Sequence, residues 1–236
     1  MIRLRNALFL MLAAMTASVH AAPARHHRPA AVDWTRTVIA TPDGGFRMGN
    51  PKAKVALVEY FSFTCPHCAA FVGEALPTIR DQYVRAGTLS FEMRPAVRDR
   101  ADYVAALLSR CGGPARFFAT AEAIFAAQGD WETRAIDYDS GHRTDFQAAD
   151  AAAAMAALAH GAGLDAIAAQ HGVPSAALAR CFADAKAQAI VKASTEAAWG
   201  TRKIGGTPAF LVNGELLAGV YDWAGLQDRL ADALNG

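Results

Sequence analysis

Residues 55–68 read VALVEYFSFTCPHC, and this stretch decides the fold class. Its first half, Val55 to Phe61, is a nearly continuous apolar run rich in β-branched and aromatic residues, which is typical of a strand buried on both faces. Apolar residues then recur at three- and four-residue spacing from Phe71 to Tyr83, which predicts an amphipathic helix. Cys65 and Cys68 therefore lie where a strand passes into the start of a helix.

The rest of the chain predicts a mixed α/β fold with a helical block in its middle. Residues 89–93 are a second predicted strand. Segments 209–212 and 216–220 predict a hairpin, because Asn213-Gly214 supplies the positive φ angles of a tight turn. Between residues 99 and 183 the β pattern disappears and alanine dominates. The predicted helices lie at 102–110, 114–128, 146–160, 164–171, 175–181, 183–202 and 223–234, and residues 129–145 are predicted to form a surface loop.

The composition excludes several classes of protein. The 236 residues suffice for one large domain or a domain with a sizeable insertion. Apolar residues make up 53% of the chain and charged residues 19%, which excludes a disordered chain. Lysine and arginine number 23 against 22 acidic residues, and no basic stripe interleaved with aromatics occurs, so nucleic acid is not an expected partner.

The first 31 residues predict export from the cell. Arg3 and Arg5 precede an apolar run over residues 7–19, which ends in a small-residue cleavage pattern. We therefore expect a signal peptide over residues 1–21 and a linker over residues 22–31. An uncleaved anchor or a first core helix is the alternative, although the run is shorter than the roughly 20 residues of a membrane span. A periplasmic location permits disulfide chemistry.

Cys65 and Cys68 form a Cys-x-x-Cys pair that predicts redox chemistry. The first cysteine of such a pair lies beside unpaired N–H groups and the positive end of the helix dipole. This setting lowers a thiol pKa from about 8.5 to between roughly 3.5 and 7.5. His67 adds a donor beside the same sulfur, and a cation when it is protonated. Stabilising the thiolate stabilises the reduced pair, which makes the disulfide a stronger oxidant.

Alternatives remain for each of these residues. Cys65, His67 and Cys68 are also possible ligands of an exported metal-binding module, although no second Cys-x-x-Cys completes a zinc site. The two cysteines alone are consistent with an inert structural bridge. A histidine on a helix is usually a surface residue. Glu59, inside the apolar strand, is either a solvent-facing acid at a strand end or a buried functional acid.

Residues 59–68, EYFSFTCPHC, and Gly206-Thr207-Pro208 together resemble the thioredoxin superfamily, and specifically the DsbA-like exported thiol oxidases. The active-site dipeptide typical of that group is Pro-His, which Pro66 and His67 match. The resemblance extends from about residue 32 to residue 234. It implies a thioredoxin fold with an inserted all-helical domain, in which residues 32–98 and 184–236 form the thioredoxin-like part and residues 99–183 form the insertion.

The resemblance also implies roles for individual residues. Cys65 matches the exposed sulfur that enters mixed disulfides, and Cys68 matches the buried resolving sulfur. Glu59 matches a buried acid that assists proton transfer at Cys68. Pro208 matches a cis-proline beside the two sulfurs. Thr207 departs from the valine of the best-known oxidases and is also found in isomerase and reductase relatives, which leaves the direction of electron flow open.

Cys111 and Cys181 are the two remaining cysteines, and they form either one bridge or two free thiols. The resemblance to relatives with a second disulfide in the helical block supports the bridge. We further expect the protein to be a monomer that needs no cofactor or metal ion. Reduced exported proteins are its expected substrates. A membrane quinone-linked oxidase of the DsbB type is expected to regenerate its disulfide.

Overall fold

The computed structural model describes residues 32–142 and 150–236. The predicted signal peptide and linker lie outside these residues, as do residues 143–149. Within the described ranges, no single helix is long and apolar enough to cross a membrane. A pair of consecutive helices, Ala151–Gly161 and Leu164–Gln170, reaches that length and hydropathy only jointly and is bent by 80°.

A six-stranded mixed sheet forms the centre of the fold. Its order is β1-β2-β4-β3-β5-β6, and β3 and β4 are its parallel pair. The predicted strand over residues 55–61 is confirmed, and the second predicted strand extends two residues further, to Pro95. The strands are β1 (Val38–Ala40), β2 (Phe46–Gly49), β3 (Val55–Phe61), β4 (Leu89–Pro95), β5 (Ala209–Val212) and β6 (Glu215–Leu216).

Both edges of the sheet differ from the prediction. The sequence analysis did not predict β1 and β2, which are too short to show a period. The predicted turn is confirmed, since Asn213 and Gly214 have φ angles of +51° and +88°. The second hairpin strand, predicted over 216–220, is wrong beyond residue 216, because only Glu215 and Leu216 pair with β5.

Helices cover both faces of this sheet. The helices from Arg100 to Phe182, which follow β4 in the chain, form the helical insertion. Most ends of the predicted helices lie within two residues of the prediction. The helix predicted over 146–160 instead begins at Ala151, because Asp150 is its N-cap, and residues 146–149 lie outside the described residues. The helix α1 continues into a π-helical segment at Ile79–Val84, and α8 continues into one at Ala197–Thr201. The helices are α1 (Pro66–Thr78), α2 (Arg100–Arg110), α3 (Pro114–Ala126), α4 (Gln128–Gly141), α5 (Ala151–Gly161), α6 (Leu164–Gln170), α7 (Ser175–Phe182), α8 (Ala185–Glu196) and α9 (Trp223–Asn235).

The predicted surface loop over residues 129–145 is wrong across residues 129–141, where the structure has α4. Trp131 is fully buried on this helix and donates from Nε1 to the carbonyl oxygen of Ile124 at 2.9 Å. Ala135, one turn later, is buried on the same face. The other residues of this segment are mostly polar, so the sequence does not show the apolar period of the helix. Residues 143–145 lie outside the described part of the chain.

The central strand β3 packs into a core on each of its faces. Side chains alternate along a strand, so Leu57, Glu59 and Phe61 share one face, whereas Val58 and Tyr60 share the other. Leu57 and Phe61 belong to the main core, which α1 and the helical insertion complete. Val58 and Tyr60 belong to a smaller cluster. Glu59 is therefore directed into the main core, which excludes a solvent-facing position.

Candidate active site

The end of β3 and the start of α1 position the two sulfurs. Cys65 is the N-cap residue of α1, its backbone is extended, and Pro66 begins the helix. Proline suits this first position, where its missing N–H removes no helical hydrogen bond. The Cys65 side chain makes no capping hydrogen bond. The sulfur therefore lies at a helix start whose amides have no intrahelical partner.

Cys65 is less accessible than predicted. Only 3% of its surface is exposed, and its Sγ lies 3.0 Å from the carbonyl oxygen of Thr207, which accepts a hydrogen bond from Cys65 when the thiol is protonated. The peptide bond between Thr207 and Pro208 is cis. The expectation of an exposed sulfur is thus wrong, because the cis-proline loop covers much of it. Cys65 still lines a cavity of about 410 Å³ with Pro66, His67, Arg98, Trp199, Gly205, Gly206 and Thr207.

The surroundings of Cys65 favour its thiolate. A hydrogen bond from the Cys68 thiol lowers the pKa of Cys65 most, and the Thr207 side chain and the backbone amides of Cys68 and His67 lower it further. Burial opposes them, and the resulting pKa is about 5 instead of the ordinary 9.0. The His67 ring is exposed. His67 lowers the pKa of Cys65 through its backbone amide, and the role expected of its ring stays a prediction.

Cys68 has the opposite electrostatics. It is fully buried, and this burial raises the pKa of its thiol well above the ordinary 9.0. Its hydrogen bond to Cys65, and the charge of Glu59 when that acid is ionised, raise the pKa further. Both cysteines are free thiols in the structure. At neutral pH the reduced pair therefore consists of a Cys65 thiolate that accepts a hydrogen bond from a Cys68 thiol.

Glu59 is a buried acid without a partner. Its residue exposure is 0%, and neither carboxyl oxygen has a hydrogen bond to any described residue. Desolvation, and secondarily the charge of Cys65, raise the pKa of Glu59 well above its ordinary 4.5. A protonated carboxylic acid that is electrostatically coupled to both cysteines is able to give and take protons. Of the two interpretations in the sequence analysis, the structure supports the buried acid.

Glu59→Leu should stabilise the protein and slow its redox chemistry. The raised pKa means that the folded state retains a proton that the unfolded chain loses above about pH 4.5, so Glu59 lowers stability increasingly as the pH rises above that value. We expect the free energy of unfolding to rise by about 1–3 kcal/mol at neutral pH. Denaturant unfolding at acidic and at neutral pH measures this difference. A gain that is equal at both pH values would contradict the assigned protonation.

Polar residues of the helical insertion reach the same loop, and the sequence analysis missed them. Asp102 in α2 is 1% exposed, and its carboxylate accepts hydrogen bonds from the amides of Phe63 at 2.7 Å and Arg98 at 2.9 Å. Burial raises the pKa of Asp102 to about 7, while these hydrogen bonds oppose the rise. Asp99 and Gln128 also contact the loop. Aspartates at the start of a helix are common, and a single glutamine is not distinctive. The sequence therefore did not indicate that these three residues reach the active-site loop.

The other two cysteines are joined to each other. A disulfide links Cys111 and Cys181, with their Cα atoms 5.6 Å apart, and both residues are half-buried. It connects the end of α2 to α7 within the helical insertion. Among the residues that the structure describes, no group of three or more His, Cys, Asp or Glu side chains is arranged to hold a metal ion.

Thr207→Val should make Cys65 less acidic. The substitution keeps the shape of the side chain but removes the hydroxyl that lowers the pKa of Cys65. We expect the Cys65 titration midpoint to rise by a fraction of a unit to about one unit, the size of one modest hydrogen bond. The pH dependence of Cys65 alkylation measures this change. An unchanged or lowered midpoint would show that the hydroxyl does not stabilise the thiolate.

Comparisons with known proteins match this site to a family. The model of the family described as Thioredoxin matches residues 41–232. Two bacterial relatives are each named "Putative protein-disulfide oxidoreductase". The one from Rickettsia prowazekii is 28% identical over 184 residues, which cover 76% of this chain and 58% of the relative. The one from Rickettsia felis is 27% identical over 203 residues, covering 84% and 64% respectively. The chain therefore spans about three fifths of the length of these curated relatives.

Solved structures agree with this assignment. A structure described as protein-disulfide isomerase from Novosphingobium aromaticivorans is 32% identical, with a TM-score of 0.75 over 82% of this chain and 99% of that chain. Wolbachia pipientis alpha-DsbA1 is 20% identical and covers 84% of this chain and 94% of its own, with a TM-score of 0.64, which shows a shared fold. The thioredoxin fold with an inserted helical domain is thus confirmed, and the chain belongs to the thioredoxin family and shares its fold with a DsbA-type structure.

Proposed function

We propose that this protein is a thiol-disulfide oxidoreductase that donates a Cys65–Cys68 disulfide to exported proteins. The observation that carries the proposal is that the pKa values of the two thiols are shifted in opposite directions. The pKa of Cys65 is lowered to about 5, and the pKa of Cys68 is raised well above 9.0. A stable Cys65 thiolate favours the reduced pair over the disulfide. The disulfide is then a strong oxidant, since its reduction releases this stabilisation.

The first step would be attack on Cys65. A substrate thiolate enters the cavity beside Cys65 and forms a bond to its Sγ, while the Cys65–Cys68 bond breaks. Cys68 leaves as a thiolate in a buried site that disfavours its charge. It must therefore gain a proton, and the buried acid Glu59 is placed to supply one. The attack is directed to Cys65, because Cys68 is fully buried.

The second step would release the oxidised product. A second substrate thiolate attacks the substrate sulfur of the mixed disulfide, and Cys65 leaves with the electron pair. A thiol of low pKa is a good leaving group, so the acidity of Cys65 speeds this step. Two electrons pass from the substrate dithiol to the cysteine pair. One proton stays on Cys68, and the other passes to solvent.

The wall opposite Cys65 would hold the substrate backbone. The cis bond before Pro208 presents the Thr207 carbonyl oxygen to Cys65 Sγ at 3.0 Å. Gly205 and Gly206 precede this loop and line the same cavity. Glycines leave a wall of exposed backbone, to which an extended peptide is able to pair. This arrangement suits protein substrates of varied sequence.

The cellular setting follows from the same proposal. The predicted signal peptide over residues 1–21 places the protein in the periplasm, where it would act as a monomer on reduced, newly exported proteins. Each turnover leaves Cys65 and Cys68 reduced. A membrane quinone-linked thiol oxidase of the DsbB type would reoxidise them. The Cys111–Cys181 disulfide would have a structural role, because it lies within the helical insertion.

A disulfide isomerase or reductase is the second candidate, and one observation favours it. The solved structure that is 32% identical to this chain is described as a protein-disulfide isomerase. An isomerase acts from the reduced state, with the Cys65 thiolate attacking a wrong disulfide. The same thiolate serves both reactions, so the reduction potential of the pair is what separates them.

Equilibration with defined mixtures of reduced and oxidised glutathione tests the proposal. We expect the Cys65–Cys68 pair to be more oxidising than the glutaredoxins, whose reduction potentials lie at about −200 to −230 mV. We also expect the oxidised protein to refold a reduced, disulfide-requiring substrate in stoichiometric amounts. A potential near the −270 mV of thioredoxin, roughly, would instead assign a reductant. Activity only from the reduced protein on a scrambled substrate would assign an isomerase.

A further inference from the structure

Three side chains of the helical insertion hold the loop that carries Cys65. We call Asp99, Asp102 and Gln128 the insert clamp. Gln128 is the first residue of α4 and is buried, and its Nε2 donates to the carbonyl oxygens of Phe63 at 2.7 Å and Cys65 at 3.0 Å. An amide nitrogen has two hydrogens to donate. Both are therefore used on the loop, one of them at Cys65 itself.

The two aspartates hold the same loop from the start of α2. Asp102 accepts from the Phe63 amide, and Asp99 accepts from the Thr64 hydroxyl at 2.6 Å. Asp99 is also the N-cap of α2, since its other oxygen accepts from the Asp102 amide at 2.9 Å. The clamp thus fixes three consecutive residues of the loop, Phe63, Thr64 and Cys65, and ties them to the starts of α2 and α4.

Packing alone does not account for these residues. Burying a carboxylate has a large desolvation cost, and Asp102 is compensated by amide donors. An apolar side chain at position 102 would avoid that cost but would leave the Phe63 and Arg98 amides unpaired. Hydrogen bonds are directional, so the clamp fixes the position of the loop, whereas apolar packing would only cover it.

The position of the loop decides the chemistry of Cys65. Its sulfur is stabilised by the Cys68 thiol, the Thr207 side chain and nearby amides, which lie on different elements of the thioredoxin-like part. A displacement of the Cys65 backbone by a fraction of an ångström would lengthen several of these contacts together. We propose that the insert clamp residues are positioning residues, through which the inserted helices hold Cys65 where its thiolate is stabilised. This inference rests on the proposed function.

Gln128→Met and Asp102→Asn test the clamp. Methionine keeps the volume of Gln128 but removes both donors, and asparagine keeps the shape of Asp102 but replaces one acceptor oxygen. We expect each variant to weaken the thiolate, so that the Cys65 alkylation midpoint rises by about one unit and the equilibrium constant with glutathione changes by about tenfold. The rate of substrate oxidation should fall through kcat, with KM little changed, because the cavity is intact.

Ser109→Ala is the matched control. Ser109 is buried on α2, as Asp102 is, but its hydroxyl donates to the Ala106 carbonyl oxygen of its own helix at 2.9 Å. This variant should lose some stability and keep the wild-type midpoint and equilibrium constant. If Gln128→Met fails to fold, Thr64→Val removes the contact to Asp99 without changing shape, and the same two measurements apply.

The outcomes separate this inference from the proposed function. Shifted midpoints in the clamp variants beside an unshifted control support the clamp. Clamp variants with the wild-type midpoint and equilibrium constant overturn it, while an oxidising wild-type protein leaves the proposed function standing. An ordinary midpoint and no oxidase activity in the wild-type protein overturn the proposed function itself.

Discussion

Cys65→Ser is expected to reduce disulfide donation to the rate of the buffer alone. Serine fills the same space at the N-cap of α1 but offers no sulfur to a substrate thiolate. Cys68 cannot replace it, because Cys68 is fully buried and the pKa of its thiol is raised well above 9.0. Oxidative refolding of a reduced substrate protein measures the loss. Thermal unfolding of the variant verifies that the fold is retained.

Cys68→Ser is the matched variant, and it should fail in a different way. Its Cys65 thiolate is still able to attack a disulfide of an oxidised substrate, which forms a mixed disulfide and releases one substrate thiolate, but no resolving thiol remains to break the mixed disulfide. We expect a covalent complex with substrate that survives denaturation and disappears on reduction. Residual donation by Cys65→Ser, or trapping by Cys65→Ser in place of Cys68→Ser, would contradict the assigned roles.

Replacing both Cys111 and Cys181 with alanine should have the largest effect on stability. Their disulfide spans 70 residues of sequence, and a bridge over a loop of this size restricts the unfolded chain by about 4 kcal/mol. The free energy of unfolding should therefore fall by about 4 kcal/mol in the double variant. Denaturant unfolding, followed by a signal from the buried Trp131, measures the change.

The same double variant tests whether this disulfide is only structural. Both cysteines lie in the helical insertion, away from the cavity beside Cys65. We therefore expect the folded double variant to keep the wild-type equilibrium constant with glutathione. A stability within about 1 kcal/mol of the wild type would contradict the structural role. A large change in the equilibrium constant would show that the bridge is coupled to the active pair.

Much of the fold could be predicted from local patterns. The apolar run over residues 55–61 is rich in β-branched and aromatic residues, which favours a strand covered on both faces, and the structure has that strand. The edge strands β1 and β2 could not be predicted, because three or four residues carry no measurable period. The helix α4 was missed because its buried face consists of little more than Gln128, Trp131 and Ala135 in a polar segment.

The site shows the same division between local and long-range information. Cys65 and Cys68 are only three residues apart in sequence, so their chemistry could be predicted from their spacing. Glu59 could be recognised as unusual, but only its position in the folded sheet shows that it has no partner. Asp102 and Gln128 reach the loop across 39 and 63 residues of sequence, respectively. No local pattern contains such contacts.

Titration of Cys65 in the reduced protein is the decisive test of the stabilised thiolate. The rate at which iodoacetamide alkylates Cys65 in the reduced protein is measured across a pH series, with the modified residue identified by mass spectrometry. We expect a midpoint at about 5, because the Cys68 thiol and the amides at the helix start stabilise the Cys65 thiolate. A midpoint near 8.5, the approximate value of an unstructured cysteine, would contradict it.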